Sequence, residues 1–346
     1  MPELNTKTNY EQELAKLRTL ANLVIPFGTA TIVKTIKTEQ KEFPLYCFEF
    51  GSDKPDAPLL LIVGGVHGLE FIGSQISIAL LESLIQMLHW DTSIRWVLER
   101  IKIIFYPMAN PVGLYQGTRS NMNGIDIMRN SPIDATEVSR VPFISGHRIT
   151  KHLPWYRGTE NDPPEIETQV LHELVLEKSR GRPFVFSLDI HSGFGTRDRL
   201  WFPYAYCKDP FHHIIEVTRF KSLYDLTFPN HVYLIEPQSR HYTTHGDLWD
   251  YCFLERRKQQ PDSIFLPFCL ELGSWSWVRK NPFQIFSLFG MFNPVKPHRV
   301  KRAMRRHQPF FDFLIRTTLS WEQWAIPGNT HEKAISENKA LKLWYS

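Results

Sequence analysis

Residues 59–75 read "LLLIVGGVHGLEFIGSQ", and the interpretation of this stretch decides the architecture. Five large aliphatic residues in a row mark a strand buried on both faces, because a strand with one wet face would alternate with polar residues. Two glycines follow, and then His67 and Glu70 stand three residues apart, ahead of an apolar run with helical spacing. A buried strand that leaves through small residues and enters a helix begins a βα unit. In open α/β sheets, ligands bind where strands finish at their carboxyl ends. The polar pair therefore falls where chemistry is expected.

Working outward, "IKIIFYPMANP" (101–111), "PFVFSLDIH" (183–191) and "SIFLPFCLELG" (263–273) are further buried strands, with "DRLWFPYAY" (198–206) and "HVYLI" (231–235) as shorter ones. Helical spacing in residues 9–22, 70–88, 167–179, 210–220 and 246–257 places helices between them. The expected fold is α/β, a single-domain mixed, mainly parallel sheet flanked by helices. An N-terminal helical extension (1–21) precedes a catalytic domain (22–320), and a C-terminal tail (321–346) follows, its last sixteen residues mostly polar and expected to be loosely attached, with Leu343 and Trp344 as anchors. The basic segment "KPHRVKRAMRRH" (296–307) reads as the solvated face of a helix that continues into apolar "FFDFLI".

Composition narrows the setting. A formal net charge of +4 is too mild to argue for nucleic acid. Four scattered cysteines without C-x-x-C spacing suit reduced thiols in the cytoplasm. The first residues carry no apolar signal-peptide core, and no apolar run of membrane-spanning length is expected. Neither nucleic acid nor membrane is an expected partner, and oligomeric state is left open.

The strand ends carry the chemistry. Four buried strands finish at His67 and Glu70, at Asn110, at His191 and at Glu271. Two histidines and one carboxylate make a three-ligand zinc site with an open fourth position, the arrangement of hydrolytic zinc. Ligand histidines usually give their other N–H to a carboxylate, and Asp126 in "NGIDIMRN" is the expected partner. Glu271, desolvated at the end of an apolar strand, is expected to have the raised pKa of a general base. The sequence supplies a control: His213 and Glu216 share the H-x-x-E spacing but follow no strand end.

Together these segments resemble the zinc carboxypeptidase family, the carboxypeptidase A-like metallopeptidases with their amidase and deacylase relatives, over roughly residues 58–280. "GGVHGLE" looks like the family's G-G-x-H-x-x-E element, and "NPVGLYQGTRSNMNGIDIMRN" like its N-P-x-G segment with R-x-N-x-x-G-x-D-x-N-R-N. "LDIHS" with "LWFPY" resembles the third-ligand strand, "HYTTHGDLWDYCF" the tyrosine loop, and "FCLELGS" the strand of the catalytic glutamate. The resemblance implies one Zn²⁺ per chain on His67, Glu70 and His191, with Glu271 as base and Arg119 stabilising the oxyanion. It further implies Arg129 gripping a substrate carboxylate and Tyr242 closing over the substrate.

One departure matters. The family places Asn directly before the substrate-binding arginine, and here Met128 stands there, which removes a donor from the carboxylate clamp. Asn130 is the replacement within reach in sequence. The insertion "GFGTRDR" brings Arg197 and Arg199, either as surface charges or as site residues favouring an acidic substrate. The expected function is a zinc metallopeptidase cleaving a C-terminal amide bond of a peptide. A deacylase of N-acyl amino acids, of the desuccinylase or aspartoacylase type, and a non-catalytic peptide-binding relative are the alternatives.

Overall fold

The aliphatic runs become neighbouring strands of one sheet in the computed structural model, which describes residues 6–137, 143–326 and 328–346. The strands are β1 (Gly28–Lys37), β2 (Glu42–Gly51), β3 (Leu59–Gly64), β4 (Lys102–Tyr106), β5 (Phe184–Ser192), β6 (Arg199–Phe202), β7 (Leu234–Pro237) and β8 (Ile264–Leu272). Their order is β1-β2-β4-β3-β5-β8-β6-β7. The central strands β4, β3, β5 and β8 run parallel, whereas β2 and β6 join that block antiparallel. This is the expected mixed α/β sheet. Every residue of β3, β4 and β5 is buried, as a sheet covered on both faces requires.

The β1–β2 hairpin is an element the sequence reading missed. Its ten-residue strands pair antiparallel along the sheet edge, and β2 alternates between buried and half-buried positions. Alternation of this kind is the period-two signal of a half-buried strand, weaker to the eye than a continuous aliphatic run.

The Phe71–Trp90 helix packs on β3 and β5 and against the Pro297–Leu319 helix. Contrary to the expectation of no apolar run of spanning length, its 20 residues meet that length and composition. Two thirds of its apolar window is nevertheless buried inside the protein, the position of a core helix (67%). The N-terminal helix, Thr6–Leu23, buries Tyr10, Leu14, Leu17 and Leu20 in the same core. The basic segment opens the Pro297–Leu319 helix, whose later turns bury Phe310, Phe311, Phe313 and Leu314.

The last residues correct an expectation. In place of a loosely attached tail, Thr330–Trp344 is a helix lying on the Ile214–Thr227 helix. Trp344 is the anchor: its ring meets Phe202 at 4.8 Å and its Nε1 donates to the Ile235 carbonyl at 2.9 Å. Leu343 remains 42% exposed. Small residues on the inner face, Ser336 and Ala340, let this polar helix approach closely, so composition alone made it look unattached. All four cysteines are buried and free.

Candidate metal centre and active site

At the carboxyl end of β3 the chain must turn sharply, and the glycines permit it. Gly65 adopts φ +70°, the left-handed region that favours glycine, and a Cβ there would meet Ser74 Oγ. On Gly68 a Cβ would run into the backbone of Gly113 and Leu114, so the His67 loop and the short Pro111–Gln116 helix after β4 touch main chain to main chain. Asn110 caps that helix and joins it to the His67 loop, accepting from Gly113 N at 2.9 Å and donating to the Val66 carbonyl at 3.3 Å. It is therefore a structural clasp, not a member of the site. Gly68→Ala is expected to destabilise the protein by about 1–3 kcal/mol, as overpacking of a close contact does, measured by urea unfolding. Unchanged stability would show that the two segments can separate freely.

This turn carries His67 and Glu70 to the end of the neighbouring β5, where His191 projects. The potential ligand atoms of the three all lie within 4.8 Å of one another. His67 Nδ1 lies 2.9 Å from Glu70 Oε1, His191 Nδ1 lies 3.0 Å from Glu70 Oε2, and the two Nδ1 atoms are 3.2 Å apart. Two imidazole nitrogens and a carboxylate aimed at one point need a shared cation. A tetrahedral zinc with bonds of roughly 2.0–2.1 Å holds its ligand atoms about 3.3 Å apart, close to this spacing. The donor set therefore fits zinc.

The outer nitrogens are held by carboxylates. His67 Nε2 lies 3.0 Å from Asp126 Oδ1, as the sequence reading expected, and His191 Nε2 lies 2.7 Å from Asp189 Oδ2. Asp189 was missed, although it sits two residues before His191 and so on the same strand face. Trp249 Nε1 also donates to Asp189 Oδ2, at 2.9 Å. Burial opposes ionisation of Glu70, yet His67 and His191 outweigh it and hold its carboxyl well below the usual range. Asp126 behaves likewise against burial, held down by Arg119, His67 and Arg129. Burial would lower His191, but Asp189 and Glu70 keep it well above an ordinary histidine. The pocket is electrostatically built for a cation.

A cavity of about 390 Å³ opens onto this cluster, lined also by Glu271, Arg119, Arg129 and Tyr242. Register explains part of this, since His191 and Glu271 are paired across β5 and β8. Burial, with Glu70 close by, pushes Glu271 up to about 8, the direction anticipated, and Phe194 N donates to its Oε1 at 3.0 Å. Arg119 donates from Nε to Asp126 Oδ2 at 2.8 Å and from Nη1 to Glu70 Oε1 at 3.2 Å. Arg129 donates from Nη1 to Asp126 Oδ2 at 3.2 Å and from Nε to the Ile144 carbonyl at 3.0 Å. Each arginine thus keeps Nη2 without a partner among the described residues. Tyr242 packs against Phe194 and Trp201, and desolvation pushes its phenol up to about 12.

One expectation comes out differently, and two open questions are answered. Asn130 does not reach the cavity: its Nδ2 donates to the Arg157 carbonyl and its Oδ1 accepts from Glu165 N, so it braces two loops. Met128 lines the cavity beside Arg129; the amide that lines the same cavity is Gln238, whose Nε2 donates to Thr244 Oγ1 at 3.2 Å. Arg197 and Arg199 are also absent from the wall; Arg199 pairs with Glu236 at 3.0 Å and lies over the Phe194 ring. The control pair resolves cleanly. His213 and Glu216 are 3.8 Å apart at the start of a helix, packed against Phe211 and Phe253, with no third ligand among the described residues.

Sequence reasoning also missed cavity residues contributed by loops. Trp155 adopts φ +67°, and the Arg119 guanidinium lies 5.9 Å from its ring centre. Asp247 caps the Leu248–Gln259 helix through Oδ1, while Oδ2 is buried without a partner, and burial raises the group to about 6. The only advance signal for Asp247 was its position before an amphipathic run.

A His-Glu-His cluster at strand ends, opposite a buried glutamate, defines a site of the metallohydrolase type. The chain matches the family model described as zinc carboxypeptidase over residues 20–259, and it belongs to that family. No curated protein sequence matches it. Among solved structures, thrombin activatable fibrinolysis inhibitor aligns with a TM-score of 0.59 at 13% identity, over 86% of this chain and 74% of that one. Carboxypeptidase A from Helicoverpa armigera aligns with a TM-score of 0.55 at 18% identity, over 76% and 63%. A metallo-carboxypeptidase from Pseudomonas aeruginosa, in complex with (2-guanidinoethylmercapto)succinic acid, gives 0.53 at 14%, over 87% and 68%. At such identities the likeness is one of fold.

Proposed function

We propose that the protein is a zinc-dependent metallopeptidase that hydrolyses a C-terminal amide bond in a peptide or peptide-like substrate. The observation that carries this reading is the convergence of His67, Glu70 and His191 on one point of a cavity that Glu271, Arg119 and Arg129 also line. When bound by the three ligands, Zn²⁺ supplies Lewis-acid polarisation of a carbonyl and acidification of a water. Glu271 takes the proton of the attacking water and returns it to the leaving amine. Arg119, with Nη2 unpaired, offers a charged donor where the oxyanion develops. Arg129, similarly unpaired at Nη2, grips an anionic group of the substrate. Tyr242 closes the aromatic side of the cavity over it.

The direct test is metal content of purified wild type and His67→Ala, measured in parallel with turnover of a peptide panel. About one zinc per chain, lost with activity in the variant, is expected. Equal zinc in both would remove His67 from the site.

Met128 supports a second reading. With an apolar side chain beside Arg129, the clamp for a free carboxylate is one donor short, which suits a substrate whose end is modified and carries no free carboxylate. Met128→Asn is expected to tighten binding of ligands with a free C-terminal carboxylate about tenfold, the worth of one hydrogen bond to a charged group. No change in their inhibition constants would show that the missing donor does not set specificity.

A further inference from the structure

Residues Gly273–Arg306 combine two features that the catalytic reading does not use. The segment holds three lysines and five arginines and no aspartate or glutamate, eight positive charges in a chain whose formal net charge is +4. Between its cationic ends, Phe283, Ile285, Phe286 and Leu288 are 65%, 47%, 86% and 65% exposed. Large apolar side chains clustered at such exposure mark an interaction surface. The tip is held in place: Gln284 Nε2 donates to the Gly290 and Asn293 carbonyls at 2.8 and 3.1 Å. Arg299 Nη1 donates in turn to Gln284 Oε1 and to the Trp277 carbonyl, both at 3.3 Å, which ties the tip to the Pro297–Leu319 helix.

The same segment forms most of a cleft of about 220 Å³, separate from the catalytic cavity, lined by Lys280, Arg299, Arg302, Arg306 and His307. Its one carboxylate, Asp198, is already engaged by Gly273 N at 3.0 Å and Arg306 Nη1 at 2.9 Å. Lys280 and Arg302 have no acidic partner among the described residues. At the inner end, the Tyr233 hydroxyl meets His307 Nδ1 at 2.7 Å, and His307 Nε2 is buried with no partner. Unpaired cations and an unpartnered buried nitrogen in one cleft suit an oxyanion.

We propose that Gly273–Arg306 docks the protein on anionic phospholipid membranes, with a headgroup phosphate in the cleft and Phe283, Ile285, Phe286 and Leu288 in the interfacial layer. Charge complementarity selects this occupant. Lipid surfaces present negative charge directly over an apolar layer, the mirror of an apolar tip flanked by cations. Trp275 and Phe292, at the two ends of the tip, line the catalytic cavity, so docking brings that wall to the lipid surface.

The test is cosedimentation of the full chain with vesicles of phosphatidylcholine alone or with about one third phosphatidylglycerol, at near-physiological salt. Binding should be about tenfold stronger or more to the anionic vesicles. The exposed double variants K280Q/R302Q and F283S/F286S should each weaken it about tenfold while keeping the wild-type circular dichroism spectrum. Absent binding, equal binding to both vesicles, or binding that neither variant weakens overturns the proposal. So does pyrophosphate binding that K280Q/R302Q abolishes without any vesicle binding, which would give the cleft to a free phosphate ligand. A dimer that F283S/F286S dissociates would give the tip to a second copy of the chain and likewise overturn it.

Discussion

Glu271→Gln will retain zinc and slow turnover about 10²–10⁴-fold, the usual contribution of a positioned general base. The substitution keeps the shape and leaves an oxygen to accept from Phe194 N, so the strand end is undisturbed. What it removes is the group that accepts a proton in the proposed mechanism. The wild-type rate will also fall on the acid side, because protonated Glu271 cannot serve as base. Burial and Glu70 raise Glu271 to about 8. A bound dication favours the carboxylate and acts the other way, so the acid limb will lie below 8. In the Gln variant that limb should vanish from the residual rate. A variant with near-normal turnover, or one with the same acid limb, would take the base role away from Glu271.

Asp126→Ala carries the largest expected effect on stability. Asp126 is completely buried and binds three side chains, His67 Nε2, Arg119 Nε and Arg129 Nη1, at 3.0, 2.8 and 3.2 Å, besides accepting from Met128 N at 3.1 Å. Removing the shared anion leaves Arg129, itself 3% exposed, without the one carboxylate it pairs with among the described residues, and breaking a buried pair in this way costs about 3–5 kcal/mol. Loss of the carboxylate behind a ligand histidine further weakens metal affinity about 10–100-fold. Urea unfolding of the metal-stripped protein isolates the first effect, and competition with a zinc chelator reads the second. A stability loss with undiminished zinc affinity would mean that Asp126 supports the arginines and not the metal site. No loss of either would remove it from the site altogether.

Much of this site is present in the order of the residues. Strands β3, β5 and β8 are largely apolar because both faces are covered, and the polar residues that the cavity uses stand at their carboxyl ends or, for His67 and Glu70, in the turn just beyond. Hydrophobic patterning sees such strands easily. It sees the β1–β2 hairpin less well, since an edge strand needs only half its side chains buried. The Thr330–Trp344 helix was read as a loose tail for a related reason: its contact rests on small residues and one tryptophan, and composition reports the polar remainder.

The sequence by itself determined the α/β class and the position of His67, Glu70, His191 and Glu271 at or just beyond strand ends. These follow from local rules, because a buried strand of period two ends at a predictable place and a family motif keeps its spacing. Only the tertiary structure decided which of the remaining polar residues reach the cavity. Asn110 and Asn130 went to bracing neighbouring segments, Arg199 went to Glu236, Asp247 and Trp155 came in, and Asp189 took its place behind His191. A side chain's partner is set by loops that arrive from distant parts of the chain and compete for the same few donors and acceptors. That competition depends on distances across the fold, which spacing along the chain does not encode.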